Sequence, residues 1–168
     1  MIIRTATLQD VSRVLDLERA SPLAAHWNEQ GYREAVAPPA GGSERLLLVA
    51  QFAGSRQQPA NASDLAGFIV ARHLAPEWEL ENIVVADSAR RTGIGTRLLN
   101  ALLAQAQETR SASIFLEVRE SNAAARILYE KAGFQQTGCR KAYYSLPTED
   151  AILYRRQLPE DCAEARFF

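Results

Sequence analysis

The segment that most constrains this chain runs from Ile83 to Gln107. Ile83-Val84-Val85 is an apolar run of the kind a buried strand carries. Ile94, Leu98, Leu99, Leu102, Leu103 and Ala106 then recur at helical spacing, predicting a helix over 94–107. Between them stands Arg90-Arg91-Thr92-Gly93-Ile94-Gly95. A strand that feeds a helix through a glycine-bearing turn commits the chain to a sheet with helices laid on it. The glycines let backbone approach a ligand with no side chain in the way. The helix start offers unpaired N–H groups and the positive end of a dipole, which suits a phosphate. Arg90 and Arg91 can add charge-assisted contacts. A P-loop would need Gly-Lys-Ser/Thr where Gly95-Thr96-Arg97 stands, and a dinucleotide fingerprint needs a third spaced glycine. For these residues alone, a turn before an ordinary helix is the plain alternative.

The rest of the chain reads in the order β-α-α-β-β-β-α-β-α-β-β. Ile2 to Ala6 is a first strand. Thr7 is a candidate N-cap, with Asp10 completing an imperfect capping box before a helix over 8–20 that ends at Ser21-Pro22. A short helix covers about 27–37. Strands follow at 46–51, 65–71, 79–85 and 113–118, and the polar stretch 54–64 reads as a long hairpin loop. Asn122 caps a helix over 123–132 that stops at Gly133. Tyr143-Tyr144 and Ala151 to Tyr154 belong to two last strands. This order predicts one α/β (α+β) domain, a single mixed sheet with helices on its faces.

Two further residues carry candidate chemistry. Glu117 lies in Leu116-Glu117-Val118, a strand that reads as central, so its carboxylate must face a cleft or find a partner such as Arg119. In a cleft it can serve as a general base for amine chemistry. Tyr129, on the helix that follows, is either a packed aromatic or a proton donor to a thiolate of comparable basicity.

The strand, loop and helix from Ile83 onward resemble the GCN5-related N-acetyltransferase (GNAT) superfamily. The resemblance implies a mostly antiparallel sheet whose central strands splay apart. It implies acetyl-CoA as cosubstrate, its pyrophosphate on Arg90, Arg91, Thr92, Gly93, Ile94, Gly95 and Thr96, and its pantetheine arm along Ile83, Val84 and Val85. The run from Leu116 to Phe134, Leu-Glu-Val-Arg-x-Ser-Asn-x-x-Ala-x-x-Leu-Tyr-x-x-x-Gly-Phe, is similar to the RimI branch, the ribosomal-protein-alanine N-acetyltransferases. By that resemblance Glu117 is the base, Tyr129 the acid and Asn122 a CoA contact. Trp27, Glu81 and Tyr143 are placed at the acceptor, and no metal is required. Glu79 and Glu81 are rival bases, since an acidic residue on that strand often has the role elsewhere in the superfamily. The likeness covers about 2–158, giving a domain over 1–158 and a tail over 159–168. The branch departs at His26, where it has proline, and at the longer 54–64 loop.

The implied acceptor is a peptide or protein N-terminus, a ribosomal protein among the candidates. The alternatives are a small-molecule amine, or a non-catalytic acyl-CoA-binding module. A net charge of −1 calls for neither nucleic acid nor an anionic membrane as partner. Cys139 and Cys162 are too few for a disulfide framework, which reads as a reducing cytoplasm. A monomer or weak dimer is expected.

Overall fold

The computed structural model describes residues 1–42, 44–52 and 65–159. Its strands are β1 (Ile2–Thr5), β2 (Arg45–Gln51), β3 (Leu65–Leu74), β4 (Glu77–Val85), β5 (Ser113–Arg119), β6 (Gln135–Ser145) and β7 (Thr148–Gln157). They form one sheet in the order β1-β2-β3-β4-β5-β7-β6. The β4–β5 pair is parallel and the other pairs are antiparallel. The helices α1 (Val11–Arg19) and α2 (Glu29–Val36) bury Val14, Leu15 and Tyr32 against Val49, Phe68 and Val70 on one face. On the other face α3 (Ile94–Glu108) buries Leu98, Leu99 and Leu102 against Ile69, Leu80 and Ile114, and α4 (Ala123–Lys131) adds Tyr129.

The element order read from the sequence is the one observed, with helices on both faces of a mixed, mostly antiparallel sheet. Three spans differ. A 3-10 turn over Leu8–Asp10 precedes α1, so the expected helix over 8–20 is two pieces. β3 runs on to Leu74. β6 begins at Gln135, well before Tyr143-Tyr144, because an edge strand of mostly exposed residues shows no apolar alternation. The expected 54–64 loop and nearly all of the 159–168 tail lie outside the described residues.

Local chemistry sets the element ends. Asn28 accepts from the Gly31 N–H at 2.8 Å and starts α2, and Asn122 accepts from the Ala125 N–H at 3.2 Å and starts α4. Gly133 ends α4 at φ +82°, a conformation that costs an L side chain energy. Before α1, the Asp10 carboxylate accepts from the Thr7 N–H at 2.7 Å and from both Arg4 Nη atoms at 2.8 Å. The hydrogen bond from Arg4 leads in holding this carboxyl down at about 2, against an ordinary 3.8. A depressed carboxyl stabilises the fold above its unfolded pKa and loses that stabilisation as pH falls through the folded one. About 1–2 kcal/mol is therefore expected to vanish between about pH 4 and pH 2. Urea titrations across that window should show a shallower acid loss for Asp10→Asn; a slope equal to wild type would remove Asp10 from the account.

Two irregularities in β4 place the site. Val70 pairs with Asn82 and Ala71 with Leu80, leaving Glu81 as the extra residue of a β-bulge. Before the bulge, Trp78 and Leu80 join the core under α3; beyond it, Val84 joins the core under α1 and α2, while Ile83 and Val85 pack on the α3 side. The second irregularity is the end of the β4–β5 ladder. Pairing runs from Glu77–Ser113 to Leu80–Leu116 and stops, although β4 continues to Val85 and β5 to Arg119. β5 stays paired with β7 as far as Arg119–Ala151, so past Leu80 the two central strands diverge.

Candidate active site

The divergence opens a cavity of about 310 Å³. β5 gives it Glu117, and α4 gives it Tyr129 and, from its cap, Asn122. β4 gives Glu79, Glu81 and Ile83, β6 gives Tyr143 and Tyr144, and the α1–α2 connection gives Trp27. The expected catalytic and acceptor residues, Glu117, Tyr129, Trp27, Glu81 and Tyr143, thus share one cavity with Asn122 and Ile83.

Glu117 sits in a strand with its side chain 21% exposed, and its partner is Arg140 of β6. Arg140 Nη1 lies 2.9 Å from Glu117 Oε1, reaching across β7. The expected alternative partner, Arg119, is engaged elsewhere: it pairs with Glu149 at 3.2 Å and lies 4.0 Å above the Tyr144 ring. Tyr143 completes the group, its phenol pushed up from its ordinary value chiefly by its hydrogen bond to Glu117. Arg140 was not singled out by sequence; its role depends on a pairing between strands that no spacing along the chain reports.

Tyr129 is 5% exposed and packed between Phe134 and Tyr154, with ring centroids at 5.9 and 6.2 Å. Burial pushes its phenol well above the ordinary 10. It is therefore a packed aromatic and a proton-holding group at the cavity wall at once. The rival acids are committed to cations. Glu79 pairs with Arg72 at 2.6 Å, and Glu81 pairs with Arg45 at 2.9 Å and approaches Arg72 at 3.6 Å. Arg45 also stands 5.2 Å over the Trp27 ring.

The glycine-bearing loop lies outside the cavity lining, at the start of α3. Among the described residues, no backbone carbonyl accepts from the N–H groups of Arg91 through Thr96. Gly93 holds φ +84° and Arg91 φ +61°, so the turn alternates handedness as it enters the helix. A Cβ on Gly95 would stand 3.2 Å from Leu128 Cδ2 and 3.8 Å from Val85 Cγ2, so the glycine lets α3 close on α4 and β4. Arg90 pairs with Asp87 at 2.8 Å, and the Thr92 hydroxyl donates to the Ala89 carbonyl at 2.7 Å. The Val84 and Ile94 side chains are buried in opposite cores at 4% and 2% exposure, which leaves the backbone, the part expected to meet a ligand at these two positions.

Comparison with known proteins agrees with this geometry. Residues 15–134 match the model of the acetyltransferase (GNAT) family. The ribosomal protein bS18-alanine N-acetyltransferase of Haemophilus ducreyi is 31% identical over 156 residues, covering 90% of this chain and 97% of that one. Its counterpart in Haemophilus influenzae is 38% identical over 94 residues, 54% of this chain, and the match spans only 64% of that relative's length. The crystal structure of the ribosomal-protein-S18-alanine N-acetyltransferase from Escherichia coli superposes with a TM-score of 0.74 at 26% identity, covering 99% of each chain. The cavity between β4 and β5 and the free N–H row at α3 are thus features of a chain that belongs to the acetyltransferase (GNAT) family.

Proposed function

We propose that this chain, as a single unit over 1–158, is an acetyl-CoA-dependent N-acetyltransferase acting on the α-amine of a protein N-terminus. A ribosomal protein beginning with alanine is the first candidate, by likeness to the relatives named above. The observation that carries the reading is the convergence of Glu117 and Tyr129 on one cavity where β4 and β5 part.

The residues fit acetyl-CoA. Six consecutive free N–H groups at a helix start, in a turn that Gly93 enters at φ +84°, suit a pyrophosphate. The unpaired edge of β4 beyond Leu80 offers backbone groups to an extended arm. Acetyl-CoA supplies the activated acyl group. The chain's own residues handle the protons. An α-amine with a pKa near 8 is mostly protonated at neutral pH, and Glu117 is placed to take that proton. An arriving ammonium meets Arg140 already on the same carboxylate, so the amine must share or displace that cation. Tyr129, which keeps its proton far above neutral pH, donates toward the departing sulfur. Its raised pKa favours stabilising that sulfur by a hydrogen bond over complete transfer in the ground state. Asn122 spends its carbonyl oxygen on the helix cap and leaves its amide nitrogen for a ligand.

Tyr129→Phe is expected to lower the acetyl-transfer step by roughly 10²-fold, the lower end for a positioned acid, with acetyl-CoA affinity nearly unchanged. Single-turnover rates and calorimetric binding separate the two; a collapse of affinity would leave Tyr129 only its packing role. The reading as a whole is tested by thiol release from acetyl-CoA against a panel. The panel holds peptides beginning with Ala, Ser, Met or Gly, a blocked peptide with free lysine, and small amines. Turnover confined to unblocked peptides supports the proposal. Turnover on small amines alone moves the acceptor class, and tight acetyl-CoA binding without turnover makes the chain a binding module.

A further inference from the structure

We propose that Glu18 is a positioning residue of the acceptor wall and supplies the unbalanced negative charge that draws a cationic amine into the cavity; this rests on reading that cavity as the acceptor site. Glu18 is in the last turn of α1 and is 1% exposed. Its Oε1 accepts from the Trp27 backbone N–H at 2.9 Å, the Tyr32 hydroxyl at 2.6 Å and Asn82 Nδ2 at 2.9 Å. The three donors come from three elements: the α1–α2 connection, α2, and β4 immediately past its bulge. All three are donors to that one oxygen, and neither the backbone N–H nor the Asn82 amide nitrogen offers an acceptor for a carboxyl proton.

Burying a carboxylate without a cation is costly, and here three donors offset that cost. What Glu18 fixes is the wall itself. Trp27 and Asn82 both line the cavity, and one carboxylate holds the loop bearing the first to the strand bearing the second. The same group decides the local charge. The carboxylates lining the cavity, Glu79, Glu81 and Glu117, pair with Arg72, Arg45 and Arg140. Glu149 pairs with Arg119 beside them. Glu18 makes no ion pair among the described residues. A low-dielectric wall focuses that remaining charge on the cavity, where the acceptor arrives as an ammonium.

The test compares one hexapeptide beginning with alanine, free and N-acetylated, by calorimetry on wild type, Glu18→Gln and Tyr32→Phe. Glutamine keeps the shape and an accepting oxygen while removing the charge; Tyr32→Phe removes one donor and keeps the charge. Wild type is expected to bind the free peptide more tightly than the blocked one. Glu18→Gln should shrink that preference about tenfold, the lower end of charge focusing in a cleft, with acetyl-CoA affinity retained. Tyr32→Phe should keep the preference. An unchanged preference in Glu18→Gln, whether or not both peptides weaken together, overturns the proposal, as does its loss in Tyr32→Phe. Failure of wild type to bind or acetylate any free-amine peptide is a separate result; it removes the acceptor reading and this inference with it.

Discussion

Glu117→Gln is expected to lower kcat on an N-terminal peptide by roughly 10²–10⁴ at neutral pH, the usual worth of a positioned base. The substitution keeps the side chain's shape and one accepting oxygen, so it removes proton affinity and little else. It also frees Arg140, which would then stand in the cavity as an unpaired cation 2.9 Å from the amide that replaced its partner. That second effect repels an incoming ammonium and should raise the acceptor KM as well. The two are separable: the double variant Glu117→Gln/Arg140→Met relieves the repulsion and should recover KM while kcat stays low. Acetyl-CoA affinity and thermal unfolding serve as controls. A rate within about twofold of wild type would take Glu117 out of the base role and return attention to Glu79 and Glu81, despite their arginine partners.

Trp78→Ala is expected to cost about 3–5 kcal/mol of unfolding free energy, as large-to-small changes of buried aromatics do. Trp78 is 2% exposed, stacks on His73 with centroids 4.7 Å apart, and donates from Nε1 to the Thr109 hydroxyl at 3.0 Å. It therefore joins β4 to the end of α3. It also stands opposite Ile114 in the parallel β4–β5 pairing, just below the point where the strands part. Urea unfolding should show a lower midpoint with a similar slope, and Trp78→Phe should lie between. A loss below about 1 kcal/mol would mean that the core under α3 repacks around the hole.

How much of this was legible in sequence depended on what each residue faces. β4, β5 and α3 carry apolar residues at strand or helix spacing because they are buried, and the predicted spans match to within a few residues. β6 was largely unseen because Gln135 to Lys141 are mostly solvent-facing. Glu117 and Tyr129 stood out by their neighbours along the chain, and the fold brings them to one cavity. Arg140 and Glu18 did not stand out. One acts across an intervening strand, and the other meets Trp27, Tyr32 and Asn82 only when three elements pack. The bulge at Glu81 was equally hidden, because Glu77–Val85 alternates without a break in burial while the faces exchange beneath it.

The short β4–β5 ladder has a mechanical consequence. Four residue pairs join β1–β4 to β5–β7, whereas the β2–β3, β3–β4, β5–β7 and β6–β7 antiparallel ladders run to seven or eight. Across this seam the two parts of the sheet are otherwise joined by the core under α3, where Leu98, Leu99 and Leu102 share one cluster with Leu80 on one side and Ile114 and Ile152 on the other. Local opening therefore has its lowest cost where β4 and β5 run unpaired against each other, and amide exchange should be fastest in the strand ends flanking the gap and slow in the longer ladders on either side.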